Sequence, residues 1–478
     1  MQQNDLSAKL ALNARLGDIE IDDDDPFKED LLKRKPYAEI LTKVLSIYTH
    51  GAVIALNGKW GTGKTTFVKK WQKMLEKETP KFNTIYFNAW QADYLDDPLV
   101  PLIANLQNVR KIDSNDNSKF ENLMKAGAKL AIAGAVGFGK AVIKKVGGEL
   151  VLETLSSVAD ECGNLFKKKV DEFSTQTKSM EQFKTELKEY VNWISTDKPL
   201  VYFIDELDRC SPTYAVRVLE RVKHLFEIPG IVFILSIDKE QLENSIKGYF
   251  GSGIDAEEYL RRFIDISYNL PQPELKDFCG YLYDYYNLQS FFEHEKRKIT
   301  FKDENISLLR TAELLCLFRQ ITLRQLDRIF ALTAISLKEF LPDQYLFPDL
   351  FFFLTYLKVC CPDLFDDISN IRLPIQELIN EIENLIPTKM LSDINGTSGR
   401  ISRFDMTFAK LLVTYSNDEQ SGELDVFIND PVHNTLIISK LNKNILINSI
   451  SHFNSQQGRE CPITHLTDKI NLLDSFMG

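Results

Sequence analysis

Residues 52–66, AVIALNGKWGTGKTT, decide the fold of this chain. They open with AVIAL, a short apolar run of strand length, and glycines follow it at once. Gly58-Lys-Trp-Gly-Thr-Gly-Lys64-Thr65 fits the pattern G-x-x-x-x-G-K-[ST]. The apolar positions of residues 65–77 then recur at helical spacing. A strand, a glycine-rich loop and a helix in this order predict a phosphate-binding P-loop. A glycine-rich turn without a ligand is the alternative.

Each residue type in this loop has a chemical role in holding a triphosphate. Glycines at 58, 61 and 63 let the backbone curl so that successive N–H groups point at phosphate oxygens. The helix that begins here adds its positive end to the same spot. Lys64 can reach the β- and γ-phosphates, and the Thr65 hydroxyl is a hard oxygen ligand for Mg²⁺. The predicted nucleotide-binding residues of the loop are Gly58, Lys59, Trp60, Gly61, Thr62, Gly63, Lys64, Thr65 and Thr66.

A second buried strand that ends in acidic residues should complete the site. Residues 200–206, LVYFIDE, provide it. An aspartate at the carboxyl end of a neighbouring parallel strand faces the crevice where ligands bind in such sheets. We therefore expect Asp205 to hold Mg²⁺ together with Thr65, and Glu206 to activate the water that attacks the γ-phosphate. The alternative is that these acids cap the next helix, because Ser211 and the proline after it also resemble a helix start.

One serine and three arginines are further candidates for the site. Ser236 ends the apolar run 231–235 and could contact the γ-phosphate from a third strand, although a plain strand end is the alternative. Arg261, Arg262 and Arg324 could neutralise charge that develops in the transition state. Because surface arginines are common, none of the three is decisive by its sequence alone.

Four apolar runs alternate with helical patterns and predict an α/β layer. Besides residues 52–56, the runs are 85–87, 200–204 and 231–235. Continuous apolar runs suit strands that are buried on both faces of a parallel sheet. We predict a P-loop NTPase with a parallel sheet flanked by helices, a helical insertion at about 100–198, and a mainly helical C-terminal domain.

Shifts in composition predict the domain limits. Past residue 271 strand-like runs thin out, and Leu- and Phe-rich helical stretches replace them. In one of these stretches the charge-free part, residues 350–357, is too short to cross a membrane and predicts a core helix. The predicted parts are a flexible lead-in at 1–26, a P-loop core at 27–270, a helical domain at 271–360 that completes the NTPase module, and a C-terminal domain of unknown role at 361–478.

The insertion contains an apolar stretch that bears on membrane contact. Residues 130–139 carry no charge. As a helix this stretch would be ~15 Å long, about half of the ~30 Å bilayer core. A full transmembrane span is therefore not expected. A buried helical hairpin is the main expectation, and a partner-binding helix or peripheral membrane contact through residues 130–143 is the alternative.

Charge and cysteine usage limit the compartment and the partners. A net charge of −11 gives no long-range attraction to phosphate backbones, so nucleic acid is not indicated as a partner. The compact basic runs, 33–35 and 167–169, are explained as solvated helix faces. Seven scattered cysteines without CxxC pairs indicate reduced thiols. Since the N-terminus also lacks a charged-then-apolar signal pattern, we expect a cytoplasmic protein.

Taken together, these motifs resemble the KAP family of P-loop NTPases, a branch of the additional-strand group. The resemblance covers about residues 27–360, and the long insertion lies where this family carries one. The segments that carry it are the lead-in 29–38, the tryptophan-bearing loop 58–65, FNAW at 87–90, IDELDRC at 204–210, FILSID at 233–238 and YLRRFI at 259–264.

The resemblance implies an ATP hydrolase with Mg²⁺. Glu206 stands where many members have a second aspartate, and the longer carboxylate still suits water activation. Arg262 falls where the family usually has a basic residue, and Arg324 falls in a helical segment that often has one. In many members the insertion holds transmembrane helices, whereas here it holds only the run 130–139.

The same resemblance implies a nucleotide-driven switch more readily than a metabolic enzyme. Bacterial members are linked to phage exclusion and other defence systems, and animal members include membrane-associated signalling scaffolds. We therefore expect an ATPase, forming a homo-oligomer or acting with a separate effector protein, that gates a partner in anti-phage defence. One alternative is a nucleotide-binding scaffold with little turnover. The other is a nucleic-acid remodelling ATPase, which needs a basic face with stacking aromatic residues.

Overall fold

Five strands form one parallel sheet in the computed structural model of the protein. The structure describes residues 21–28, 30–48, 50–95, 97–109, 118–137, 155–194, 197–226, 228–272, 274–301, 304–318, 321–387, 401–419, 439, 443–456 and 461–471. Among them, the strands are β1 (Ala52–Asn57), β2 (Thr84–Asn88), β3 (Leu200–Asp205), β4 (Ile231–Ile237) and β5 (Ile266–Asn269). Their order is β2-β3-β4-β1-β5, and every neighbouring pair is parallel.

The edge strand β5 was not predicted from the sequence. Its four residues alternate between half-buried and exposed, so they lack the continuous apolar run that marks the inner strands. In contrast, β3 and β4 are buried along their whole length. A short edge strand with one open face is the kind of element that hydropathy alone misses.

Each face of the sheet is covered by its own helices. Successive side chains of β1 point to opposite faces, so Val53 packs in one apolar cluster and Ile54 in the other. On the Ile54 face, Trp71 donates a hydrogen bond from its indole to Thr42 Oγ1 at 3.0 Å, which joins the two helices that cover it. The helices before residue 272 are α1 (Lys35–Leu45), α2 (Lys64–Lys77), α3 (Leu99–Asn105), α4 (Ser118–Gly137), α5 (Leu155–Ile194), α6 (Pro212–Phe226), α7 (Lys239–Phe250) and α8 (Ala256–Leu260).

The insertion forms an antiparallel pair of helices, α4 and α5. Phe120 near the start of α4 lies against Tyr190 near the end of α5, with ring centroids 5.8 Å apart. The Tyr190 hydroxyl donates to the carbonyl of Leu106 at 2.8 Å and so fixes the pair to the segment after α3. Residues 138–143 of the predicted membrane contact lie outside the described residues. Within the described part, no helix is both long enough and apolar enough to cross a bilayer.

The described residues beyond 273 form a helical unit. Its central helix carries a buried run from Pro348 to Leu357, and this is the core helix that the apolar pattern predicts. The helices of this unit are α9 (Leu275–Tyr285), α10 (Gln289–Phe292), α11 (Glu295–Thr300), α12 (Glu304–Phe318), α13 (Leu323–Leu337), α14 (Pro348–Cys360), α15 (Pro362–Ser369), α16 (Ile375–Leu385), α17 (Ile401–Glu419), α18 (Lys443–Gln456) and α19 (Thr464–Asn471).

Contacts between Cα atoms separate the α/β unit, residues 19–272, from this helical unit. The predicted fold class is confirmed: a parallel sheet flanked by helices, a helical insertion and a mainly helical C-terminal part. The finer domain limits remain predictions, and the first 20 residues of the predicted lead-in lie outside the described residues.

Candidate functional site

The glycine-rich loop joins the end of β1 to the start of α2. Gly61 and Gly63 have φ angles of +75° and +79°, a left-handed conformation that strains residues with a Cβ. At Gly58 the space is also tight, because an added Cβ would lie 3.2 Å from Thr62 Oγ1. The Gly58 N–H donates to the carbonyl of Ile237 at 3.0 Å, which ties the loop to the end of β4.

Lys64 is buried, and its ammonium group forms no ion pair with an acid of the described part of the chain. It is only 8% exposed. Its ammonium group donates to the carbonyl oxygens of Gly58 and Lys59, the second at 3.2 Å. Burial lowers the pKa of Lys64, and the charges of Asp208, Asp238 and Asp205 oppose that shift. The ammonium group thus rests on loop carbonyls, close to where the loop would receive a phosphate.

Asp205 lies at the carboxyl end of β3, as predicted, and is 1% exposed. Its Oδ2 accepts a hydrogen bond from the Tyr86 hydroxyl at 2.9 Å, and its Oδ1 accepts from the N–H of Glu206 at 3.0 Å. A carboxylate has about four acceptor positions. Two donors therefore leave capacity for a further ligand.

Glu206 is held in a strained turn directly after the strand. Its φ is +61°, which is uncommon for a residue other than glycine and is typical of functional positions. Its Oε2 accepts from Asn88 Nδ2 at 2.9 Å, and its Oε1 is paired with Arg209 Nη1 at 2.7 Å. The Glu206 side chain accepts no capping hydrogen bond from the backbone of the short helix Leu207–Arg209 that follows. The helix-capping alternative is therefore not observed for Glu206.

Ser236 lies between the P-loop strand and the acidic strand. In the sheet register it is opposite Asp205 on β3 and opposite Leu56 on β1. Its side chain is fully buried, and its hydroxyl has no hydrogen-bond partner among the described residues. A buried unpartnered hydroxyl is costly, which is the signature of a group that waits for a ligand or water.

Three contacts around Trp60 were not predicted from the sequence. The Trp60 N–H donates to Asp238 Oδ2 at 3.1 Å, and its indole N–H donates to Asp208 Oδ2 at 2.5 Å. Asp208 Oδ2 also accepts from the N–H of Asp238 at 3.0 Å. Both acids lie in segments that carry the family resemblance, but the sequence gives no sign that they bind the P-loop.

Arg34 contradicts the interpretation of the basic run 33–35 as a solvated helix face, because Arg34 is buried and lies before the first helical residue. It precedes α1, is 3% exposed, and donates from its Nη1 to the carbonyl of Gly63 at 3.2 Å. A longer contact of 3.5 Å joins its Nη2 to the carbonyl of Pro271. Burial lowers the pKa of Arg34 to about 10, so the group stays charged at neutral pH. A positive charge therefore lies in contact with the P-loop backbone at Gly63.

Arg262 lies away from the P-loop of its own chain. It is exposed in the turn after α8, just before β5. The N–H of Asp265 donates to the carbonyl of Val53, which places this segment beside the start of β1. The P-loop follows the other end of β1, and a strand of this length spans about 20 Å. Neighbouring Arg261 is exposed and pairs with Glu257 and Glu258.

The remaining predicted residues fall in two places. Thr65 and Thr66 lie half-buried in the first turn of α2, next to the loop. Arg324 is exposed at the start of α13 in the helical unit, and its role stays a prediction.

The chemistry of the donors can be tested against the predicted metal. Among the described residues there is no group of three or more His, Cys, Asp or Glu side chains arranged to hold a metal ion. Mg²⁺ at phosphates needs no such group, because it keeps several waters and binds one or two protein oxygens plus the phosphates. The Thr65 hydroxyl and the Asp205 carboxylate are oxygen donors of that kind and fit the ion.

A glycine-rich loop between a parallel strand and a helix, with an acid pair ending a nearby strand, defines the class of P-loop NTPases. The model of the KAP family P-loop domain matches residues 34–340. This match covers more than half of the chain, and the protein belongs to that family. The resemblance seen in the sequence is confirmed.

Two further similarities are weaker. The Phage T7 exclusion protein of Escherichia coli (strain K12) is 27% identical over 84 residues, which are 18% of this chain and 11% of that protein. A solved structure of the Aeropyrum pernix ORC2 protein in ADPNP–ADP complexes aligns with a TM-score of 0.34 and 11% identity. That alignment covers 93% of this chain and 95% of the ORC2 chain.

Proposed function

We propose that this protein is a Mg²⁺-dependent ATPase that acts as a nucleotide-driven switch. One observation carries the proposal: the P-loop, a buried lysine and an acid pair lie together at the carboxyl ends of the strands. Lys64, Asp205 and Ser236 are all buried there, and the Ser236 hydroxyl has no partner among the described residues. Such a site is suited to a triphosphate whose oxygens take up the unused donors.

In the proposed reaction, each side chain has one task. Lys64 moves from the loop carbonyls to the β- and γ-phosphate oxygens. Thr65 and Asp205 would hold Mg²⁺, which would supply neutralisation of phosphate charge. Glu206 accepts a proton from the attacking water, a P–O bond forms at the γ-phosphorus, and the bond to the β-phosphate oxygen breaks. The products are ADP and phosphate, and the proton on Glu206 is then lost to solvent.

Basal turnover should be slow, because the catalytic carboxylate is already engaged. Glu206 is bound on one oxygen by Asn88 and on the other by Arg209. A base that must leave two partners before it can orient water is poorly placed in the resting state. This supports a switch, in which assembly or a partner releases Glu206.

The position of Arg262 supports an oligomer. It is exposed where β1 begins, whereas its own P-loop follows the carboxyl end of β1. Arg262 could therefore complete only the site of a neighbouring copy. In a head-to-tail assembly, its charge would neutralise the transition state in the neighbour. Mixing Arg262→Ala with Lys64→Ala should then restore part of the activity, since the mixture contains some intact composite sites.

The place of this switch in anti-phage defence rests on the short similarity to a phage exclusion protein. We propose that the ATPase gates a separate effector or partner protein during phage infection. Loss of protection against phage in cells that carry Lys64→Ala, at equal protein level, tests this point. Equal protection by the variant would contradict it.

Phosphate release tests the enzymatic proposal directly. The wild-type protein should release phosphate from ATP with Mg²⁺, and Glu206→Gln should lower kcat by about 10²–10⁴-fold while ATP still binds. Lys64→Ala should lose binding as well. Undiminished phosphate release by Glu206→Gln would reject the assigned base.

A scaffold with little turnover is the second candidate, and the engaged carboxylate of Glu206 favours it. In that case ATP and a non-hydrolysable analogue would drive equal assembly in size-exclusion measurements, and no ADP would accumulate. If assembly instead reverses as ATP is consumed, the switch is supported.

A further inference from the structure

The turn after β3 binds the P-loop and the catalytic carboxylate at the same time. We call residues 206–210, which include the short helix Leu207–Arg209, the acid turn. Asp208 points from this turn to the P-loop, where it accepts the indole N–H of Trp60. Arg209, the next residue, pairs with Glu206 at 2.7 Å. Two consecutive residues of one turn therefore contact the two halves of the site.

Asp208 is buried to an extent that carboxylates seldom reach without a reason. It is 5% exposed, and burial raises its pKa, although Lys64 and the hydrogen bonds to Trp60 and Asp238 oppose the shift. A buried carboxylate is costly unless donors compensate it. Its compensation comes from the P-loop and from the end of β4, so its energy depends on where those segments lie.

Trp60, the P-loop residue that contacts Asp208, donates two hydrogen bonds to carboxylates. The main-chain N–H of Trp60 donates to Asp238, while its side chain donates to Asp208. A phosphate that arrives at the loop brings negative charge towards both carboxylates and competes for the loop N–H groups. Trp60 can respond because 42% of it is exposed and its ring is not enclosed.

We propose that Asp208 is a positioning residue that links Trp60 of the P-loop to the acid turn, so that nucleotide on the loop sets the position of Glu206. The inference rests on the proposed ATPase function. When a triphosphate displaces Trp60, Asp208 loses its indole donor and the acid turn moves. The pair between Arg209 and Glu206 then opens and frees the carboxylate for water.

The backbone of the acid turn is suited to this motion. Glu206 has a left-handed φ of +61°, a conformation that persists only while its surroundings impose it. Asp208 and Arg209 supply side-chain contacts that hold it, and one of these contacts ends on the P-loop. Removing that contact should release the strained conformation.

Hydrogen exchange of the acid turn provides a readout that does not depend on turnover. In the wild-type protein, a non-hydrolysable ATP analogue with Mg²⁺ should change amide exchange in residues 206–210. In Trp60→Phe, which keeps an aromatic ring but removes the N–H donor, the analogue should still bind and this change should disappear. Asp208→Leu, which keeps about the size and removes the acceptor oxygen, should behave in the same way.

Steady-state kinetics give the second readout. We expect each single variant to lower kcat about tenfold and to leave KM within about threefold. The reason is that each variant changes the position of Glu206 and leaves phosphate binding intact. The double variant should be no worse than either single one, since both remove the same contact. Asp97→Leu is the control with the same substitution: Asp97 lies outside the acid turn and also accepts a main-chain N–H, that of Leu99, and a side-chain donor, Arg221. It should leave kcat and exchange of the acid turn unchanged.

The outcomes separate this inference from the proposed function. Turnover with additive effects of the two variants, or with unchanged exchange in residues 206–210, would overturn the link and leave the ATPase proposal standing. A nucleotide-dependent change in exchange that needs Trp60, without phosphate release, would support the link and reject the ATPase. If no nucleotide binds, both are wrong.

Discussion

Two groups of buried charges, one in each unit of the molecule, differ in how completely they are paired. In the helical unit, Asp349 is bound by Lys410 at 2.7 Å and 2.8 Å. Nearby, Arg297 is 0% exposed and pairs with Glu304 at 2.6 Å and 3.0 Å. Every one of these charges meets an opposite charge, which is the arrangement that burial requires.

The charges at the P-loop are not matched in this way. Lys64 donates to two carbonyl oxygens, and the charges of Asp208, Asp238 and Asp205 act on it without an ion pair among the described residues. The Ser236 hydroxyl has no partner among the described residues. The contrast shows that burial alone does not identify a functional site. Burial with unused bonding capacity directly beside a P-loop is the more specific indication, because a bound phosphate can complete such a group. Ser336 and Asp405 of the helical unit also have a buried atom without a partner among the described residues, but no such loop accompanies them.

The two buried lysines give the sharpest form of this contrast. Lys64→Met should reduce ATP affinity by more than about 100-fold and change the free energy of unfolding little, since it breaks no ion pair. Lys410→Met should do the reverse. It should lower stability by roughly 3–5 kcal/mol, because Asp349 is left buried without its cation, and it should leave ATP affinity unchanged. Denaturant unfolding and nucleotide titration of both variants measure the two quantities. Equal losses of stability in Lys64→Met and Lys410→Met would contradict the proposed difference between the two buried lysines.

Asp405 is a buried acid of the helical unit that differs from Asp349 in its hydrogen bonding. Its Oδ1 has no partner among the described residues, and burial raises its pKa to about 6. An acid whose pKa is raised by folding stabilises the protein at low pH, and this contribution is lost as the pH rises through about 6. Between pH 4 and pH 7 the loss is of the order of 2–3 kcal/mol. Urea unfolding at several pH values should show this slope in the wild-type protein and a smaller one in Asp405→Asn. An unchanged slope would show that Asp405 titrates normally.

Two buried hydroxyls give the smallest effect. Thr333 donates to the carbonyl of Ile329 at 2.7 Å and lies 3.0 Å from Thr355 Oγ1. Thr333→Val should therefore cost about 0.5–1.5 kcal/mol of stability. Ser236→Ala should be neutral or slightly stabilising, because it removes a hydroxyl without a partner, and it should lower ATP turnover. Thermal unfolding and phosphate release distinguish the two. A stability loss in Ser236→Ala equal to that in Thr333→Val would mean that the Ser236 hydroxyl is already satisfied.

The sequence predicted those parts of the site that are local in the chain. The loop 58–66 and the acid pair after β3 are short motifs whose geometry follows from a few adjacent residues. The inner strands β1, β3 and β4 were predicted for a similar reason, because burial on both faces imposes a continuous apolar run. The run 85–87 also predicted a strand, but β2 is an edge strand in which only alternate residues are buried, so the expected burial on both faces is wrong for it. The edge strand β5 was missed, since one of its faces is open and its pattern is weak.

The contacts that complete the site could not be predicted, because they join residues far apart in the sequence. Trp60 and Asp208 are 148 positions apart, and Trp60 and Asp238 are 178 apart. Arg34 reaches Gly63 only after α1 has folded against α2. A single sequence contains no signal for such pairings, whereas the fold brings them within hydrogen-bond distance.

The most direct test of the central claim is the stability of the protein with and without nucleotide. If the site at the P-loop binds a triphosphate, ATP with Mg²⁺ at about 100 times its Kd should stabilise the wild-type protein by about 2.7 kcal/mol. The same nucleotide concentration should stabilise Lys64→Met by no more than about 0.4 kcal/mol, because its affinity is at least 100-fold lower. Equal unfolding curves with and without saturating nucleotide in the wild-type protein, or equal stabilisation of Lys64→Met, would contradict the account.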